Sequence, residues 1–424
     1  MTHPICNIIK RIKASNDGKT VAANFGYLSL IQIASYAFPL ITMPYLARVI
    51  GTEGFGRIAF ANAVLVWIQT IADWGFSFTA TRDVAQNRGN KEKVSEIFSN
   101  VFWAKCLLSL ISGACLLIAI AFVPLFRENA FILLISFLLI PGQIMFPDWF
   151  FQAIEKMKYT TLLGLFFRIF FTIMVFVVIK DKSDYFWQPL LTTIGYIICG
   201  GITLFLIIGN WGYKLYRPSI QSIVKYIKSS TDVFLNNLMP NLYSSFSVLL
   251  LGFWGGSYAN GIFDGGNKFA LILYQLQMVL SRAFYPFLSR RHDKHHLFEV
   301  INNTAALFLA LSLFIISPVL VHIMLGPEFE ESIVVLRILS ISVFFLGLNN
   351  TYGTNYLIIY HHERDIRNIT FVASIIGMLL AIPLVKYFSY VGAAITILLS
   401  RGLLGILSCI KAKKYIKSRV SIET

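Results

Sequence analysis

Residues 162–179 read LLGLFFRIFFTIMVFVVI, with one arginine, Arg168, set between two Phe pairs. A second arginine, Arg401, sits in LLSRGLLG, deep in another apolar run. A guanidinium at the centre of a membrane span costs at least ~2.5–3.5 kcal/mol. Arg168 lies roughly 12 Å along a helix from the nearer edge of its run at 1.5 Å per residue. Two further cations, Lys105 and Arg282, fall nearer the ends of their runs. Snorkelling to the interface accounts for these two as well as a ligand would. Anions are scarcer inside the runs. Asp73 is well inside one and Asp148 near the end of another, while Asp264 is spaced to pair with Lys268 one turn on. A purely structural network tends towards balance, so a surplus of cations points to an anionic ligand. Arginine offers paired donors that match phosphate oxygens. The chemistry expected of Arg168 and Arg401 is therefore recognition of a phosphate-bearing group.

Neutral polar residues suit the rest of such a ligand. Gln32, Ser35, Pro39 and Thr42 share one helical face, as do Asn237, Asn241, Ser244 and Ser247. Pro39, Pro44 and Pro240 free backbone carbonyls and permit bending in the same segments. A third polar centre runs from Asn349 to Asn355. Interhelical hydrogen bonding explains any one of these residues. As a set they fit a ligand rich in hydroxyls.

The elements that must position these groups are membrane helices. The chain has 424 residues, 56% hydrophobic and only 13% charged, about half the usual charged fraction of ~25%. Apolar runs of the ~20 residues needed to cross a bilayer recur along its length. Twelve spans are expected, near 22–47, 58–80, 99–121, 131–152, 160–179, 187–208, 231–254, 262–288, 301–325, 333–359, 368–385 and 392–410. The first is too long, and too poor in small residues at its end, for a cleaved signal peptide. Of the 36 Lys and Arg, 24 fall in the N-tail, the C-tail and alternate loops, and seven on the opposite side. That asymmetry predicts both termini on the cytoplasmic face. It also disposes of nucleic acid as the partner of the +15 net charge, because the basic residues are strung along loops rather than gathered on one surface.

The segment 209–230 carries Trp211, Tyr213, Tyr216 and Tyr226 between lysines and reads as a cytoplasmic amphipathic linker in contact with headgroups. It divides the chain into an N-terminal lobe, 1–208, and a C-terminal lobe, 231–424, of six spans each. The lobes repeat weakly at an offset of 205. Gly51 and Gly56 align with Gly256 and Gly261, Gln32 with Asn237, and Thr42 with Ser247. An even number of spans per half makes this a parallel repeat, the architecture of transporters that alternate access.

Several classes drop out. No Walker loop is present, so the chain is not itself an ATPase. The five cysteines show no CxxC pairing. The histidines of RRHDKHH (290–296) and HHERD (361–365) read as solvated basic loops, so neither a metal nor a cofactor is expected. No nucleophile, base and orienter assemble, and the outer loops are too short for the chemistry of a membrane polymerase or ligase.

The stretch NFGYLSLIQIASYAFPLITMPYLARVIGTEGFGRIAF (24–60), followed by DWGFSFTATRDVAQNRG (73–89), resembles the N-terminal signature of the Wzx-type O-antigen flippases. These belong to the multidrug/oligosaccharidyl-lipid/polysaccharide (MOP) superfamily. MFPDWFFQAIEKMKY (145–159), YPFLSRR (285–291), LGPEFEESIVVLRILS (325–340) and SYVGAAITILLS (389–400) extend the match in order. The resemblance implies an all-α protein of the bacterial inner membrane with two six-helix lobes. It would move undecaprenyl-diphosphate-linked oligosaccharide units to the periplasmic leaflet, with membrane lipids, an O-antigen polymerase and a chain-length regulator as neighbours. A cationic lumen formed by Lys105, Arg168, Arg282 and Arg401 is implied in the same way. Relatives often carry an acidic residue just after the GAAIT segment, where this chain has Ser400-Arg401. That departure leaves Asp73 as the coupling carboxylate to consider. Drug-exporting cousins are the alternative, but they move mainly cations, which such a lumen would repel.

Overall fold

The computed structural model describes residues 16–217, 219–291 and 294–423. The basic N-tail, Cys6 and His292 lie outside them. Every regular element among the described residues is helical. The α-helices are α1 (Asn16–Asp73), α2 (Phe76–Gln86), α3 (Lys91–Phe122), α4 (Pro124–Glu128), α5 (Ala130–Phe137), α6 (Leu139–Met145), α7 (Asp148–Ala153), α8 (Met157–Val178) and α9 (Trp187–Leu204). After a connection come α10 (Ile220–Leu238), α11 (Ser245–Leu288), α12 (His295–Met324), α13 (Ser332–Leu348) and α14 (Glu363–Glu423). A π-helical stretch, Asn349–Ile358, joins α13 towards α14.

Among the described residues, eight helical stretches are long and apolar enough to cross a membrane. Two of these are too long for one crossing. Gly26–Gln86 has 61 residues, a run of about 90 Å as one helix against a ~30 Å slab. It breaks at Gly51, and α14 breaks at Ser389. Helix α11 breaks once as well, at Gly256, which separates the expected seventh and eighth spans. The breaks turn fourteen helices into the polytopic arrangement that hydropathy predicts.

The chain forms two compact units. The first holds residues up to Met43, Ile68–Lys180 and Phe186–Leu235. The second holds Pro44–Trp67, Asp181–Tyr185 and Asn236–Thr424. The first is knit at one end by an aromatic core in which Phe98, Trp149, Phe150 and Phe151 are fully or nearly buried, with Trp211, Tyr213 and Tyr159 packed around them. Trp211, Tyr213 and Tyr226 of the linker thus face protein, while Tyr216 is exposed. In the second, Tyr352, Tyr356 and Leu357 of the π-helical stretch pack against α14.

The repeat is written in the backbone. Gly51 has φ 66°, ψ −174°, and Gly256 has φ 69°, ψ −170°. This region is open essentially only to glycine. Thr42 donates to the Phe38 carbonyl at 3.2 Å, and Ser247 to the Tyr243 carbonyl at 2.6 Å. Each pair lies 205 residues from its counterpart.

Candidate substrate-binding site

In the first unit, Arg168 projects from α8. Its Nη1 donates to the Gly164 carbonyl at 3.0 Å and its Nη2 to Ser35 Oγ on α1 at 2.8 Å. Ser35 in turn donates to the Ile31 carbonyl at 2.7 Å, so its hydroxyl is oriented to accept. The other close charge-sensitive neighbour is the Tyr196 phenol on α9. The guanidinium is half-buried. Gln32, on the preceding turn of α1, donates to the Tyr36 hydroxyl.

Lys105 behaves differently. Its Nζ is 2.6 Å from Asp73 Oδ1, and Ser77 Oγ donates to the same oxygen at 2.6 Å. The pair joins α3 to the last turn of α1, and Asp148 lies within the field of both charges. Asp148 itself accepts from the Trp149 amide at 2.7 Å. Lys105 and Asp73, a lining cation and a coupling carboxylate in the sequence reading, therefore neutralise one another.

In the second unit, Arg401 is 6% exposed. Its Nη1 donates to Ser342 Oγ on α13 at 2.9 Å, it hydrogen-bonds the Tyr243 phenol, and the Tyr274 phenol is close by. Its Nε has no hydrogen-bond partner. Among the described residues neither Arg401 nor Arg168 has a carboxylate within ion-pair distance. By contrast Lys268 is paired with Asp264 at 2.7 Å, and Arg337 is held by Ser317 Oγ at 3.3 Å and the Phe314 ring. Arg282 is exposed, with Tyr274 between its field and that of Arg401.

The remaining polar residues are spread over several elements. Asn237 ends α10 and Asn241 sits in a 3₁₀ turn, Met239–Leu242, that Pro240 imposes, so the helical face drawn through them is interrupted. Asn349 opens the π-helical stretch and its Oδ1 accepts from Ser408 at 3.0 Å. Sequence reasoning missed Tyr196, Tyr243, Tyr274 and Ser342. Each comes from a segment other than the arginine's own helix, and no periodicity within one span announces a partner in another.

A buried arginine and a half-buried one, each among neutral hydroxyls, can do one thing well. They can accept an anion. Hydroxyl dipoles offset only part of the desolvation of a guanidinium, whereas a carboxylate or phosphate brings a full opposite charge and paired acceptors.

The arrangement of helices is that of MOP-superfamily transporters. It matches the lipid II flippase MurJ in an inward closed conformation with a TM-score of 0.72 at 14% identity, covering 92% of this chain and 87% of that one. It matches an inward-facing multidrug resistance MATE family transporter with a TM-score of 0.67 at 15% identity, covering 93% and 98%. The chain belongs to the polysaccharide biosynthesis protein family, which it matches over residues 21–292. It is 29% identical over 383 residues to a candidate O-antigen transporter of Escherichia coli (strain K12), covering 88% of this chain and 92% of that protein. A second such transporter, from Shigella dysenteriae, is 26% identical over 92% of this chain and 99% of its own length.

Proposed function

We propose that this chain is a flippase for undecaprenyl-diphosphate-linked O-antigen oligosaccharides. It carries them by alternating access from the cytoplasmic to the periplasmic leaflet of the inner membrane. The basic loops and both termini face the cytoplasm in this reading, as their Lys and Arg surplus favours. Residues 1–208 and 231–424 act as the two lobes, with 209–230 as their connection. Family membership and the transporter relatives support the class of cargo. The observation that carries the reading is Arg401, sealed in the second unit with Ser342 and Tyr243 as partners and its Nε unpaired. The diphosphate supplies the missing negative charge at Arg401, and an anionic group of the cargo does the same at Arg168. Gln32, Asn237, Asn241 and Asn349 offer amides to sugar hydroxyls, and the polyprenyl chain stays in lipid. Delivered units then become substrate for a polymerase and its chain-length regulator.

The test separates ligand binding from a structural role. A lone buried guanidinium opposes folding, so Arg401→Met is expected to raise thermal stability by the order of 1 kcal/mol. Ser342 keeps its own bond to the Leu339 carbonyl in that variant. At the same time Arg401→Met and Arg168→Ala should abolish surface polysaccharide and leave lipid-linked single repeat units in the inner leaflet. Lysine at either position should restore part of the polysaccharide. A normal surface polysaccharide ladder in both variants would sink the assignment.

A further inference from the structure

The polar run 349–355 is only partly used by the cargo, which takes Asn349. Asn350, Thr351 and Asn355 are buried within the second unit. Asn302 Nδ2 on α12 donates to the Gly347 carbonyl at 3.0 Å and to Thr351 Oγ1 at 2.9 Å. Asn355 Nδ2 donates to Ser281 Oγ on α11 at 2.6 Å and to the Asn350 carbonyl at 3.0 Å. Gln277 lies one turn before Ser281. Its amide flanks Gly347, with Nε2 and Oε1 each 3.6 Å from where a Cβ would stand. Gln277, Ser281, Asn302, Thr351 and Asn355 are at most 1% exposed. Three side-chain oxygens of this cluster, Gln277 Oε1, Asn302 Oδ1 and Asn355 Oδ1, have no hydrogen-bond partner. Oxygens buried in that state are rare and costly. The fold does not require polar groups at these positions. At the offset of 205 the repeat images of Gln277, Asn302 and Asn355 are Ala72, Ile97 and Phe150, all apolar and buried.

The three oxygens come from three elements and are hard, neutral donors. A divalent ion calls for carboxylates, whereas neutral carbonyl-type oxygens suit a monovalent one. Charges stand only beside the cluster. Glu299 Oε1 accepts from the Tyr352 hydroxyl at 2.6 Å, and Lys413 Nζ is 5.8 Å from the centre of the Tyr352 ring. We propose that Gln277, Asn302 and Asn355 bind a single alkali cation, with the Gly347 carbonyl and the Thr351 hydroxyl as further oxygen donors. The ion ties the π-helical stretch to α11 and α12 within the second unit. The competing occupant is a cluster of waters, because Gln277 Nε2 and Asn350 Nδ2 are unpartnered too. Water serves N–H groups and oxygens alike, and its effect is the same in every salt.

The experiment needs no cargo. The purified full chain is melted in detergent in sodium, potassium or N-methylglucamine chloride at one ionic strength. A cation bound only by the folded state raises the melting temperature with its concentration. At least one alkali salt should therefore raise it saturably above the N-methylglucamine value. Gln277→Met keeps the length of the side chain and removes an amide that has no hydrogen-bond partner. In N-methylglucamine chloride this variant should melt at or above the parent. In the favoured alkali salt it should melt below the parent, and its own melting temperature should not depend on the cation. Asn302→Leu should lose the response as well. Asn260→Leu should keep it, because that unpartnered amide lies beside Gly252, away from the cluster. If the variants fail to accumulate, binding of radiolabelled sodium and rubidium to the parent chain decides, with one saturable site expected. A parent that melts alike in all three salts and retains no label overturns the site. So does a Gln277→Met shift of equal size in every salt, which is the signature of buried water.

Discussion

At the residue scale, charges outside the spans pair by ordinary rules, whereas Arg168 and Arg401 inside them lack a carboxylate partner among the described residues. Arg88 donates from Nε and Nη2 to the Ala153 carbonyl at 3.2 and 2.9 Å, and its Nη2 is 2.9 Å from Glu155 Oε1. The hydrogen bond from Arg88 holds the Glu155 carboxyl below the usual glutamate range. A depressed carboxyl adds stability above its unfolded pKa and loses it as pH falls through the folded value. The window therefore opens near pH 4 and runs downward. Both side chains are some 40% exposed, so the contribution is at most about 0.5–1 kcal/mol. Glu155→Gln should lower the melting temperature slightly at pH 7, and the difference should vanish below the folded pKa; a constant difference down to pH 2 would contradict this. Inside the spans, the surplus of arginine was legible from composition and position. The closure of Lys105 on Asp73 was not, because 32 residues and a turn separate them and nothing local orients one towards the other.

At the element scale, the segment 209–230 shows how side chains far away in sequence decide a conformation. Its aromatics and lysines suggest an interfacial amphipathic linker, and within it regular α-helix begins only at Ile220. Before it, 213–217 runs as an irregular strap over α3. Lys214 N–H donates to Ser95 Oγ at 3.1 Å, Tyr216 N–H to Ser99 Oγ at 2.8 Å, and Trp103 Nε1 to the Tyr216 carbonyl at 3.1 Å. Gly212 supplies a φ of 62°, and the Arg217-Pro218 step disfavours helix at Arg217. Those local signals were readable, while the serines that satisfy the strap lie more than a hundred residues upstream. Ser99→Ala leaves the Tyr216 amide without its acceptor, a cost of about 1–3 kcal/mol where no water replaces it. Trypsin applied to the basic-loop side should then cut after Lys214 faster than in the parent chain, with the global melting temperature nearly unchanged. The glycine breaks make a second, paired prediction. Gly51→Ala and Gly256→Ala each force a side chain into a region costing about 1–3 kcal/mol. At Gly51 a methyl also comes within 2.8 Å of Glu328 Oε2, whereas at Gly256 it meets open space. Glu328 Oε2 ends a flexible, half-exposed side chain that can move aside, so the two variants should lower the melting temperature by similar amounts in a thermal melt.

At the scale of the whole molecule, the sequence suggests a cut in the linker, but compactness divides the chain elsewhere. Pro44–Trp67, from the first half of the sequence, clusters with Asn236–Thr424. The reasons are particular contacts. Arg48 Nη2 donates to the Ile323 carbonyl at 2.6 Å, the Phe55 ring meets Phe329 edge-on at 5.5 Å, and the Phe60 ring fills the space above Gly252. Hydropathy finds the apolar run that holds these rings but cannot say which helices it leans on, because an apolar face accepts any apolar neighbour of the right shape. A fragment of residues 1–210 expressed alone would therefore leave Phe55, Phe60 and the Gly56 face without the surfaces that cover them. Phe55 and Phe60 are 3% and 2% exposed in the intact chain, and uncovering two such rings forgoes about 3–6 kcal/mol where water rather than lipid replaces the partner. The fragment should be degraded when expressed alone, and its steady-state level on an immunoblot should recover when residues 211–424 are co-expressed. A self-sufficient six-span lobe would accumulate equally in both strains, and that result would show that the 44–67 corner belongs to the first half after all.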